Sequence, residues 1–133
     1  MSVVLKLVAQ GKQCRIYALA DETECLLAEF LADVERDLPD ELPKLVRLFD
    51  FAAEHLPPRN EEKCKLLQNG IHEFKTTRWR VLWFWDEGQV ILCTHGFVKK
   101  SRKTPPGEIE RALKMKADYE AAKRAKQLKF ESP

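Results

Sequence analysis

Residues Gly70–Tyr119 read GIHEFKTTRWRVLWFWDEGQVILCTHGFVKKSRKTPPGEIERALKMKADY, and this stretch decides the fold. Ile71–Lys75 and the pair Trp79–Trp85 and Val90–Phe97 are short runs rich in aromatic and β-branched residues, the composition of strands. DEGQ between the last two is a tight turn, with Gly88 supplying the backbone angles other residues avoid. Three consecutive strands therefore form a meander, in which 79–97 is a hairpin. In its first arm a period of two puts Trp79, Val81, Trp83 and Trp85 on one face and Arg80, Leu82 and Phe84 on the other. The three tryptophans read mostly as core. Arg80 thus sits on an otherwise apolar strand face, where an unpaired charge is costly. A salt bridge to Glu73 on the neighbouring strand and a catalytic role both stand open for it.

Beyond the hairpin, VKKSRKTPPG leads into a helix over about 105–127, with Thr104 as its cap and Pro105 at its first position. Ile109, Ala112, Met115, Tyr119 and Ala122 recur at spacings of three and four, giving one buried stripe. Lys99, Lys100, Arg102 and Lys103 place four positive charges in five residues between a strand end and a helix start. Such a cluster suits phosphate binding or protein docking.

Before the meander, Val3–Val8 and Cys14–Leu19 flank a turn at Gly11 and read as a hairpin or one bent strand. Asp21 and Glu24 form a capping box for a helix carrying Leu27, Phe30, Leu31 and Val34, which stops before Leu38-Pro39. A second helix carries Leu42, Leu45, Val46, Phe49, Ala53 and Leu56 and is closed by Pro57-Pro58. The expected fold class is α+β, with two N-terminal helices packed on the sheet and a C-terminal helix after it.

The chain has 133 residues, 44% of them hydrophobic, enough for one good core and one domain over 1–133. No apolar run approaches the roughly 20 residues of a membrane span, and MSVVLKLVAQGKQ is too short and too soon polar for a signal peptide, so a cytoplasmic protein with no membrane contact is expected. Cys14, Cys25, Cys64 and Cys93 lack CxxC spacing and read as buried or incidental thiols, with no metal site and no cofactor implied. The net charge of +2 hides an asymmetry: Asp21–Glu62 holds 13 acidic and 4 basic residues, whereas Lys63–Lys129 holds 16 basic and 7 acidic. A basic half concentrates nucleic acid, and RNA is the first candidate. The Lys and Arg residues of the last helix are more simply a solvated surface.

From about Ala28 onward the chain resembles the phage-derived HigB-like branch of the RelE/ParE toxin superfamily. The likeness is carried by EFLADV, KLLQNGIHEFKT, RWRVLWFWDEGQVILCTHGFVKKSRKTP and EIERALKMKADY, and most specifically by HGFVKKSRKTP followed by EIERA. It implies a RelE-like domain with two helices packed on an antiparallel sheet. It also implies a type II toxin paired with a helix-turn-helix, HigA-like antitoxin, acting on mRNA at the ribosome as an endoribonuclease. Members of the ParE kind instead poison DNA gyrase through protein contacts, and a decayed binding module is the third possibility.

Metal-independent RNA cleavage needs a group to take the 2′-hydroxyl proton, cations for the developing phosphorane charge and an acid for the leaving oxygen. Arg80 occupies the arginine of the family's arginine-valine-leucine-aromatic strand and is the first candidate for transition-state charge, with Lys75 second. Where relatives usually have glutamate, leucine and arginine, this chain has Glu73, Phe74 and Lys75, and lysine gives up the two-pronged phosphate contact. Glu73 is a candidate proton acceptor or the partner that orients Arg80, and the orienting role is favoured. Of His55, His72 and His95, His95 is the best acid or base by position, just before Gly96 at the strand end. Lys99 and Lys100 match the family motif, one of them as a catalytic group, while Arg78, Arg102 and Lys103 grip the RNA backbone.

Overall fold

The computed structural model describes residues 2–131. The first hairpin is formed by β1 (Val3–Gln10) and β2 (Arg15–Ala20), paired antiparallel across the Gly11 turn. A Cβ on Gly11 would lie 2.6 Å from the backbone of Ala53, so only glycine lets this turn seat against the second helix. Helix α1 (Leu26–Asp37), a 3-10 turn at Pro39–Glu41 and α2 (Leu42–His55) follow. The chain then runs through β3 (Cys64–Gln68), β4 (Ile71–Lys75), β5 (Trp79–Asp86), β6 (Val90–Val98), α3 (Pro106–Arg124) and β7 (Leu128–Glu131).

All seven strands join one sheet in the order β3-β4-β5-β6-β2-β1-β7. The fold class is α+β, but the sheet is mixed rather than antiparallel. The β3-β4-β5-β6 meander is antiparallel, while β2 lies parallel to β6 and β7 parallel to β1. The opening hairpin thus docks on the far side of the meander, with α1 and α2 in the crossing connection.

The alternation read in β5 divides two cores. Trp79, Val81 and Trp83 join Phe74, Ile16, Ile91 and Cys93 beneath α1 and α2, which contribute Leu27, Phe30, Val34, Leu45, Phe49 and Ala52. Leu82 and Phe84 join Leu5, Tyr17, Ile71 and Leu92 on the opposite face, covered by Ala112 and Tyr119 of α3. Trp79 and Trp83 are fully buried; Trp85, at the strand end, is not, and meets Trp83 edge to face. In α2, Val46 and Leu56 are exposed, whereas Leu48 and Ala52 are buried, so the buried stripe is turned slightly from the expected one.

Several boundaries differ from the sequence expectation, each for a local reason. Asp21 accepts hydrogen bonds from the Thr23 N–H and hydroxyl and the Glu24 N–H, closing a turn ahead of the helix; α1 begins only at Leu26, with Cys25 at its N-cap position. Thr104 does not cap α3. Pro105 holds the N-cap position and the Thr104 hydroxyl is used elsewhere. The C-terminal helix stops at Arg124 because Lys126 takes a left-handed conformation (φ 56°) and the Gln127 N–H returns to the Ala122 carbonyl, which frees the chain to add β7. Strands β3 and β7 were not expected: both are edge strands with mostly exposed side chains. Among the described residues, no helix is long and apolar enough to cross a membrane.

Candidate functional site

A polar layer interrupts the α3 face at the start of that helix. Glu73 on β4 and Arg80 on β5 lie within one register step of each other, since Glu73 pairs with Leu82 and Lys75 with Arg80. Both are almost fully buried, at 3% and 5% exposure, and Arg80 Nε stands 3.6 Å from Glu73 Oε1. One terminal nitrogen, Nη1, donates to the backbone carbonyls of Thr76 (2.5 Å) and Trp79 (3.0 Å). Burial lowers the Arg80 pKa and the Glu73 charge opposes that shift. Of the two roles open to Arg80, the pairing with Glu73 is therefore formed. Glu73 also accepts a 2.5 Å hydrogen bond from Thr104.

His95 reaches the same layer by a β-bulge. By simple alternation after Ile91 and Cys93, it would face α1 and α2. Leu82 instead pairs with His95 and Trp83 with Cys93, so Thr94 is an extra residue that shifts the alternation by one. His95 turns toward α3, where Nε2 lies 3.1 Å from Glu108 Oε1 and Nδ1 lies 3.0 Å from the Thr94 hydroxyl. The same shift points Gly96 at α1, where a Cβ would come 2.3 Å from the Phe30 ring. With the ring only 2% exposed, burial lowers the His95 pKa; the Glu108 hydrogen bond and charge oppose this and the charge of Arg111 adds to it. A neutral ring donating from Nε2 to the Glu108 carboxylate has its Nδ1 accept the single proton of the Thr94 hydroxyl, which also stands 3.3 Å from the Leu82 carbonyl.

The remaining candidates lie at the surface. The Lys99 N–H donates to the Arg78 carbonyl at 2.9 Å, which fastens the start of the cationic turn beside the 76–78 loop. The Ser101 hydroxyl donates to the Lys103 carbonyl at 2.9 Å and holds the turn closed. Arg78, Lys100, Arg102 and Lys103 are exposed, and Lys75 and Lys99 are half-buried. The structure thus brings Glu73, Arg80 and His95 into one buried layer and leaves the six other cations above or beside it. His72 lies on the opposite face, stacked on Trp83 (ring centroids 4.3 Å apart), and His55 sits beside Phe51 at the end of α2. None of the four cysteines is disulfide-bonded, and burial pushes the thiols of Cys64 and Cys93 up, away from the reactive thiolate form.

Three residues of the polar layer escaped the sequence reading in these roles: Thr94, Thr104 and Glu108. Gly96 directly after His95 is the signal that could have found the bulge, since an isolated glycine in a strand marks a bulge or a close backbone approach. Glu108, in the first turn of a helix, resembles an ordinary dipole-complementing acid and gives no such signal.

The layer has a mechanical consequence for the cations above it. Thr104 closes the run that begins at Lys99, and its hydroxyl is tied to Glu73; Thr76 precedes Arg78, and its carbonyl is tied to Arg80. The two ends of the cationic surface are therefore anchored to one buried ion pair. No curated protein matches the chain. Residues 35–117, which run from the end of α1 to just past the middle of α3 and include the polar layer and the cationic turn, match the model of the family described as phage-derived protein Gp49-like. With more than half of its length matched, this chain belongs to the phage-derived Gp49-like family.

Proposed function

We propose that the protein is the toxin of a type II toxin-antitoxin pair and an endoribonuclease that cuts mRNA on the ribosome. The observation that supports this best is the cationic turn Lys99–Lys103, exposed to solvent but fixed at Thr104 and, beside Arg78, through buried Glu73 and Arg80. Membership of the Gp49-like family and the resemblance to HigB-like toxins agree with it.

In this reading the RNA 2′-oxygen attacks the adjacent phosphorus, the P–O5′ bond breaks, and the products are a 2′,3′-cyclic phosphate and a 5′-hydroxyl. The protein's contribution is mainly electrostatic: preorganised cations offset the charge gathering on the phosphorane oxygens. Lys99 and Lys100 are the groups that contact the reacting phosphate, with one ammonium donating a proton to the leaving oxygen while the 2′-hydroxyl proton passes to solvent water. Arg78, Arg102 and Lys103 hold the flanking backbone. Arg80 and Glu73 are positioning residues, because both side chains are buried and Arg80 Nε and Nη1 and Glu73 Oε1 are engaged within the protein. His95 is likewise closed off by Glu108 and Thr94, so it holds the start of α3 against β6. A helix-turn-helix antitoxin would inhibit by laying acidic residues over the cationic turn or by blocking ribosome entry, and salt-sensitive complex formation would favour the first. The protein's place of action is then the cytoplasm.

The test is inducible expression of the wild type beside a Lys99→Ala/Lys100→Ala double variant, scoring growth and mapping mRNA 5′ ends. Arrest with new ends inside translated codons, lost in the folded double variant, is the expected result. Arrest with intact mRNA and damaged DNA would replace this reading with a gyrase-type toxin, and an absence of arrest with retained RNA binding would leave a binding module.

A further inference from the structure

A second cationic surface lies away from the Lys99–Lys103 turn, in a cleft between α2 and the β3-β4 edge. Its volume is about 430 Å³, and its lining includes Lys44, Arg47, Lys63 and Lys75 together with Phe51 and Pro58, and no acidic residue. Lys44, Arg47 and Phe51 are spaced by three and four residues on α2, so they share one helical face. Lys44 is paired with the buried Glu41 at 2.7 Å, while Arg47, Lys63 and Lys75 have no salt bridge among the described residues. The segment from Asp21 to Glu62 has only four basic residues among 13 acidic ones, and two of the four line this cleft. Phe51 is 46% exposed, and His55 packs beside it with centroids 4.9 Å apart.

An exposed aromatic ring bordered by unpaired cations is the arrangement that binds single-stranded nucleic acid, with bases stacked on the ring and phosphates on the cations. The cleft is also joined to the surface already described. Lys75 and Thr76 line it; Thr76 accepts hydrogen bonds from the N–H groups of Arg78 and Trp79, and its hydroxyl donates to Glu41. From Arg78 the cationic surface continues to Lys99.

We propose that the cleft between α2 and β4 is a binding site for single-stranded RNA, in which a base stacks on Phe51 and the flanking phosphates meet Arg47, Lys63 and Lys75. This deepens the ribonuclease reading, on which it rests for the identity of the strand: the RNA held at Lys99–Lys103 extends past Arg78 into the cleft. Each stacked base contributes about a fivefold or larger gain in affinity, and each phosphate contact adds about 0.7 to the slope of log affinity against log salt.

The test is fluorescence anisotropy of a labelled oligouridylate with the full chain, comparing wild type, Phe51→Ala and Arg47→Ala/Lys63→Ala. All three positions are exposed, and thermal melts establish that each variant is folded. The expected result is at least about fivefold weaker binding by Phe51→Ala with an unchanged salt slope, and a slope lower by about 1.4 in the double variant. Duplex RNA, whose base faces are hidden, should compete poorly. Wild-type affinity in both variants, no oligouridylate binding by the wild type at low salt, or equal competition by the duplex would each overturn the proposal. Binding is read without cleavage, so intact mRNA in the expression experiment would defeat the ribonuclease reading and leave the cleft standing. Codon cleavage by the wild type with unaltered oligouridylate affinity in the variants would defeat the cleft alone.

Discussion

The two faces of the sheet carry buried layers of different kinds. Beneath α1 and α2 the contents are almost wholly apolar: Phe74, Trp79, Val81 and Trp83 pack on Phe30, Leu45 and Phe49, and the indole N–H groups of Trp79 and Trp83 have no acceptor among the described residues. Beneath α3 an apolar half containing Leu82, Phe84 and Tyr119 gives way, toward the helix start, to Glu73, Arg80, His95, Thr104 and Glu108. The first face does its work by excluding water and tolerates two unmade hydrogen bonds for it. The second accepts the desolvation of several charged groups, whose bonds fix the chain segments that carry the surface cations. Stability is concentrated on one face and placement on the other.

The largest effect expected from this division is on the apolar face. Trp83→Ala removes a fully buried ring that stacks on Phe74 and His72, and should cost about 4 kcal/mol. Chemical denaturation would measure it. Any remaining folded protein should keep its RNA affinity, because the loss is of the core as a whole. A selective loss of RNA binding with normal stability would break the comparison.

Next is the buried ion pair. Glu73→Leu leaves Arg80 charged and unpartnered and removes the acceptor for Thr104, which should cost about 3 kcal/mol. Adding Arg80→Met should recover most of that stability, since an apolar pair of similar volume avoids the desolvation of both charges. The stable double variant should nevertheless bind RNA more weakly than wild type, because both anchors of the cationic surface are gone. Full activity of the double variant would show that the pair only fills space.

Gly96→Ala tests the bulge with a smaller change. Its Cβ would meet the Phe30 ring at 2.3 Å, an overpacking expected to cost about 2 kcal/mol, and Phe30→Leu in the same chain should relieve it. An unperturbed melting temperature for Gly96→Ala would mean that β6 does not turn Gly96 toward α1.

How much of this was legible follows from which signals are local. The alternation of Trp79, Val81 and Trp83 against Arg80, Leu82 and Phe84 is a property of six adjacent side chains, and it placed both layers correctly. The Glu73–Arg80 pair could be foreseen because adjacent meander strands bring both to one face. The face occupied by His95 depends on one extra residue, Thr94, so counting by twos fails there. The parallel docking of β2 on β6 and of β7 on β1 depends on contacts between segments distant in sequence, which no local period encodes. Exposed edge strands such as β3 and β7 bury too little to show an alternation. The cleft around Phe51 was hidden for a related reason: its cations come from α2, β4 and the loop before β3, in a stretch whose summed charge is acidic up to Glu62.

The smallest expected effect concerns protonation of the polar layer. Burial lowers the pKa of His95 from its ordinary 6.5, despite Glu108, and Arg111 adds to the shift. At a pH between the folded and unfolded values the unfolded chain binds more protons, so stability rises with pH. The contribution is therefore complete above about 6.5 and declines as pH falls below it toward the folded value. His72 on the opposite face is shifted the same way, through burial against Trp83 and the charge of Lys116, and must be separated from it. Urea midpoints between pH 7.5 and pH 5 should fall for the wild type and fall less for His95→Asn and for His72→Asn. Only His95→Asn should also loosen the start of α3, read as faster amide exchange at Ile109–Ala112, because only His95 holds Glu108. Equal exchange in the two variants would remove His95 from the anchoring of the cationic turn and leave the Glu73–Arg80 pair to position it alone.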